Sequence, residues 1–224
     1  SAPRYGFSRG YTGAALALGF GLGGFFDGIL LHQILQWHHL LSGVEEARLD
    51  IRLLIMADGA FHAVMYVISG IGLWLLWRNR HEFAQPGADR HAVIVALIGF
   101  GVWHIIDGVL SHWVLGIHRI RDDVDSPLLW DVGWLVVFGI LPILWAWRLR
   151  VKNTGGPTLV SAPVALVLAT LMAAPLAALP PSGQAEVVVL FRPGITEAEA
   201  FAGIVSAGGR VLGVTAWDAD LPRA

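Results

Sequence analysis

The sequence predicts an all-α membrane protein with five transmembrane helices, the first four forming a bundle of duplicated hairpins, and a small extracytoplasmic βαβ tail. Three observations lead there. Five apolar runs reach the roughly 20 residues that a membrane helix needs, at about 12–40, 52–77, 92–116, 127–148 and 158–180. Residues 19–38 recur at 99–118 with a constant offset of 80, and nine of the twenty aligned positions are identical. Of 224 residues, 55% are hydrophobic and only 14% charged, which leaves most of the chain with nowhere to sit but lipid.

The same composition excludes several functions. A net charge of -2 supplies no basic field for nucleic acid. With no cysteine and three methionines, the chain can make no disulfide, iron–sulfur cluster or thiolate zinc site. Any metal must be held by histidine, carboxylate or water.

The first run follows Arg4 and Arg9, shows no small-residue cleavage pattern and continues into histidine-bearing sequence, so it is expected to be a retained helix. Its Gly19, Gly21, Gly23, Gly24 series, echoed at Gly99 and Gly101, lets helices approach closely in lipid. Runs one and three carry the repeat in the same direction, as in parallel-repeat membrane folds. Their partners, runs two and four, agree only through Asp58 and Asp131.

The fifth run holds no ionisable residue and reads as a plain anchor. Beyond it, 186–191 and 210–214 read as strands around a helix opened by a capping box at Thr196 and Glu199. The expected domains are therefore 1–153 (bundle), 154–183 (fifth helix) and 184–224 (βαβ unit). A unit of about 40 residues is marginal alone, so 184–224 is expected to dock on a partner membrane protein or complex.

Arg4, Arg9, Arg78, Arg80, Arg90, Arg148, Arg150 and Lys152 all fall on one side of these spans, which the positive-inside rule makes cytoplasmic. That places the chain in a bacterial inner membrane with the N-terminus inside and the tail in the periplasm.

An ionisable group at the centre of a membrane helix costs roughly 2.5–3.5 kcal/mol on insertion scales, so each one in a span is a functional candidate. Asp27, His32, His38, Asp58, His62, His104, Asp107, His112, His118 and Asp131 all fall in the outer half of the bundle, with His39 beside them. At 100° per residue, Asp58 and His62 share a face. Asp27 and His38 point one way, while His32 and His39 point 120–140° away. One straight helix cannot aim all four at one ion.

We take His32, His38, His62, His104, His112, His118, Asp27, Asp58 and Asp107 as candidate metal ligands. Asp131 and His39 are taken as groups that orient them. Copper, zinc and iron all suit such a set, although Cu(I) carriers usually add the Cys or Met that are scarce here. His81 and His91, in the cytoplasmic loop, are expected to be solvated, and Trp37, Trp103, Trp113, Trp130 and Trp134 to form an interfacial belt.

The duplicated Asp-Gly-Ile-Leu-x-His and Asp-Gly-Val-Leu-x-His cores, the first followed by Trp37-His38-His39, resemble an uncharacterised family of predicted bacterial membrane proteins, a domain family of unknown function. The resemblance covers about 12–150. It implies a four-helix bundle carrying Asp27, His32, His38, Asp58, His62, Asp107, His112 and His118, and brings no activity with it.

Three functions follow as expectations. The first is a metal-binding accessory subunit or copper-handling partner of a respiratory or redox complex. The second is a membrane metalloenzyme, either a zinc hydrolase or a non-haem or copper oxidase. The third is a quinone-linked cytochrome with haem held by a pair such as His62 and His104.

Overall fold

The structure is a computed structural model that describes residues 6–48, 51–121, 124–151, 161–179, 189, 191–192 and 194–207. Four helices are long and apolar enough to cross a membrane. Helix α1 runs over Arg9–Ile34, α2 over Ile51–Arg78 and α3 over Ala88–Val114. Helix α4 is built from the consecutive segments Pro127–Trp134, Leu135–Ile140 and Leu141–Val151.

The two repeat-bearing helices, α1 and α3, form the central pair, with α2 packed on α1 and α4 on α3. Glycine explains the pairing. A Cβ on Gly19 would collide with the Ala96 backbone, and one on Gly99 with the Leu16 carbonyl. Because 16 and 96, and 19 and 99, are each 80 apart, the contact is reciprocal: each helix offers a glycine to the other's backbone. Such approach lets main-chain atoms touch where lipid provides no hydrophobic driving force. Large apolar side chains on the outside, such as Val67, Trp74, Trp77, Leu144 and Trp145, are exposed, as lipid-facing residues should be.

At the arginine-rich end the N-terminal segment is latched to the 79–91 turn. The Ser8 side chain caps α1 by accepting from Tyr11 N, Ser8 N donates to Glu82, and the Tyr11 hydroxyl donates to the Ala88 carbonyl. His81 is solvent-exposed, as expected. His91 departs from expectation: it stacks on Phe7 at 4.4 Å and its Nε2 lies 2.8 Å from the Thr12 hydroxyl.

Two departures concern the segments beyond the bundle. The fifth run appears as α5, Ser161–Ala177, only 17 residues with Pro175 inside it. Its 17 described residues fall below the length of the four candidate spans, so the count of five finds no support. It packs on α1, α2 and α3, where Gln33 and Tyr66 donate to the Ala177 and Ala174 carbonyls. The ends of the predicted run, 158–160 and 180, lie outside the described residues.

In the tail, the predicted capping box is present: Thr196 and Glu199 close it reciprocally and open α6, Glu197–Ser206. There is no strand among the described residues. The predicted strand at 210–214 and most of that at 186–191 lie outside them, so the βαβ arrangement finds no support.

Candidate metal centre

The polar residues gather where α1 and α3 end and α2 and α4 begin. Both central helices change winding there. The π-helical segments Gly28–Ile34 and Asp107–Val114 begin at the two Asp-Gly pairs. This corrects the straight-helix expectation. On an α-helix the Asp and His of Asp-Gly-x-x-x-His diverge by about 140°, whereas i→i+5 winding stacks residues five apart. Asp27 and His32 thereby share a side, as do Asp107 and His112.

The third ligand arrives by chain reversal. Gln36 and Gly116, 80 apart, both take positive φ, 51° and 63°. Trp37 N bonds back to the Leu31 carbonyl and Ile117 N to the Ser111 carbonyl, each six residues back, one residue wider than the closure of a Schellman motif. The predicted first span to residue 40 therefore ends as a helix at Ile34, and His38 and His118 fold back over His32 and His112.

Two buried triads result, Asp27–His32–His38 and Asp107–His112–His118, and within each the ligand atoms all lie within 4.8 Å of one another. His32 Nε2 and His38 Nε2 are 3.1 Å apart, and His112 Nε2 and Asp107 Oδ2 are 3.0 Å apart. Ligands bound at about 2.1 Å to a tetrahedral ion stand about 3.4 Å from each other, so these separations fit one ion per triad.

The opposite nitrogen of three imidazoles is hydrogen-bonded, and that of the fourth, His32, has a carboxylate beside it without a hydrogen bond. His38 Nδ1 donates to the Ile120 carbonyl and His118 Nδ1 to the Leu40 carbonyl, both at 3.0 Å. His112 Nδ1 meets Asp131 Oδ1 at 3.0 Å, and His32 Nδ1 stands 3.1 Å from Asp58 Oδ1. An acceptor behind Nδ1 places the proton there and leaves the Nε2 lone pair facing inward, the arrangement typical of metal-ligating histidine. Burial, then the neighbouring His32 and His118 imidazoles, holds His38 well below the ordinary histidine pKa, which keeps it in this neutral form.

The proton inventory points the same way. His32 faces acceptors on both nitrogens, Asp58 on one side and the His38 lone pair on the other. His112 likewise lies between Asp131 and Asp107. A neutral imidazole has one N–H and cannot satisfy two acceptors. Asp27 Oδ1, His112 Nε2 and His118 Nε2 are buried without a hydrogen-bond partner. A cation at each meeting point would resolve all of these conflicts.

Other candidates take different places. Asp58 stands behind His32 and also accepts from His39 Nδ1 at 2.6 Å and Leu40 N at 2.8 Å. Asp131 stands behind His112 and accepts from Trp113, Arg119 and Ile120 N. Both carboxylates thus position histidines, and Trp113 does more than line the interface. Arg119 was missed as a site residue; the signal was its alignment, 80 residues on, with His39.

His62 and His104 belong to neither triad. His62 lies against Gly28, where a Cβ would strike it, and its Nε2 is buried without a partner. His104 Nδ1 bonds within its own helix to the Phe100 carbonyl, and the ring is packed among Phe26, Phe100, Trp134 and Phe138. Phe26 and Gly28 lie about 160° apart around α1, so the two imidazoles pack against different sides of that helix.

No curated protein and no solved structure is significantly similar to this chain. One family model matches it, over residues 14–153, which takes in most of the first candidate span, all of the other three and both triads. The chain belongs to the family described as predicted membrane protein (DUF2243).

Proposed function

We propose that this is an integral membrane metal-binding protein in which each buried triad holds a transition metal ion. The observation that carries the reading is the orientation of the histidines: His38, His112 and His118 are each hydrogen-bonded at Nδ1 to an acceptor, His32 Nδ1 lies 3.1 Å from Asp58, and all four turn Nε2 toward a buried carboxylate or a second imidazole. Imidazole and carboxylate suit Cu(II), Zn(II) and iron.

The arginine-rich ends of the spans lie opposite the triads, so the positive-inside rule puts the centre near the outer face of a bacterial inner membrane with the N-terminus inside; a periplasmic tail requires α5 to cross as a fifth span. That position suits an accessory subunit or copper-handling partner of a respiratory or redox complex, docked through 184–224. The offset-80 contacts support an origin of the bundle by internal duplication.

A second reading is favoured by the ligand count. Three protein ligands leave an ion with an open position, as in catalytic zinc sites, so a membrane metalloenzyme is the runner-up.

Elemental analysis of the chain purified from its native source tests the main reading. Metal should be present, be largely lost in His32→Ala and His112→Ala, and be retained in His81→Ala. Folded, membrane-inserted His32 and His112 variants with undiminished metal would sink it, leaving the triads as helix cross-links made by Asp and His pairs through hydrogen bonds. Turnover of a metal-dependent reaction by the isolated chain would favour the enzyme.

A further inference from the structure

The two triads are not merely side by side. His38 of the first and His118 of the second stack face to face, ring centroids 4.6 Å apart and planes within 9°. Since each Nε2–metal bond lies in its ring plane at about 2.1 Å, ions on these two rings sit no more than about 11 Å apart whichever way the rings point.

The hydrogen bonds also cross over. His38 is held by the Ile120 carbonyl, and the N–H of that same residue holds Asp131, which orients His112. In mirror fashion His118 is held by the Leu40 carbonyl, and Leu40 N–H holds Asp58, which stands behind His32. Each triad's outer histidine therefore hangs on the residue that fixes the other triad's carboxylate. Gly43 N adds a further link to the Ile117 carbonyl, and a Cβ at 43 would press on that same turn.

From this geometry we propose that the protein holds a dinuclear centre: two transition metal ions, one per triad, magnetically coupled across the His38–His118 stack and loaded cooperatively. The proposal rests on the metal-binding reading above. An ion entering the first triad fixes His38, which immobilises Ile120 and with it Asp131 and His112. The second triad is then already ordered when its ion arrives, so the second ion binds more tightly than the first.

Cu(II) is the probe, added to the chelator-stripped full chain in nanodiscs and followed by electron paramagnetic resonance and by competition with a chelator of known affinity. At two equivalents the expected result is two bound ions, with a half-field transition from a coupled pair. At one equivalent about half of the molecules should already carry pairs. His112→Ala should bind one ion at most, with no half-field signal. Asp131→Asn, which keeps all six ligands, should weaken both ions at least about tenfold, whereas a carboxylate serving only its own triad would weaken one.

Two retained but magnetically isolated ions, or independent filling of the two triads by the wild-type chain, would overturn the dinuclear proposal and leave the metal-binding reading standing. Failure to retain any Cu(II) beyond the exposed His81 would overturn both.

Discussion

The first and second triads share a plan and differ in their surroundings. Behind His32 stands Asp58, which accepts from His39 and Leu40 N; behind His112 stands Asp131, which accepts from Trp113, Arg119 and Ile120 N. The guanidinium of Arg119 thus occupies the place of the His39 imidazole. Likewise His62 lies against Gly28 on α2, while the corresponding neighbour of Gly108 is Leu135. What is common to both halves is the ligand set with its backbone anchors. What differs is the carboxylate's side-chain partner, a guanidinium in the second half and an imidazole in the first.

The largest test of the comparison is at the crossing. Gly19→Ala and Gly99→Ala each push a methyl into the facing backbone and should each destabilise the bundle by about 2–3 kcal/mol, with Gly133→Ala, which meets nothing, as control. Thermal unfolding in detergent measures this; clearly unequal losses at 19 and 99 would break the equivalence of the halves.

Next come the two orienting carboxylates. Asp58→Asn and Asp131→Asn should each lower metal affinity by roughly 10- to 100-fold. The second should cost more stability as well, since Asp131 has the larger set of partners, including the Arg119 ion pair at 2.8 Å. Chelator competition beside a melting curve separates the two effects.

Acid should release the metal, because neutral imidazole is the ligand and protons compete with the ion. Since the His38 pKa lies below the ordinary value of about 6.5, that residue stays a ligand until the pH has fallen further. Metal content unchanged from pH 7.5 to 5 would contradict a histidine centre.

A smaller effect is expected at the turns. Gln36 takes the left-handed conformation that Gly116 adopts freely, so Gln36→Gly should stabilise by about 0.5–1 kcal/mol and Gly116→Gln should destabilise by a similar amount. The smallest is His62→Leu, which brings the first half closer to the second. Metal content should not change, and a loss would enrol His62 as a ligand.

Much of this architecture was legible from hydropathy and from the offset of 80. The four spans, the common depth of Asp27, His32, Asp107 and His112, and the glycine contacts all follow from residue type and period. The grouping of ligands was not, because the wheel assumed α-helical winding throughout. The switch to π-helix at Asp27–Gly28 and Asp107–Gly108 alters the angle that the wheel takes as constant, and the reversal at Gln36 uses a residue that carries no turn signal. Gly116 at the aligned position was the available clue.

The reciprocal contact of Gly19 with Ala96 and of Gly99 with Leu16 has the form of an isologous dimer interface contained in one polypeptide. A twofold homodimer must change both copies of a residue at once. Joining the copies removes that constraint, so position 39 can remain histidine while position 119 becomes arginine. Such a chain can specialise one half while the other preserves the shared surface. Co-expressed as separate hairpins, the two halves should still find each other through that surface.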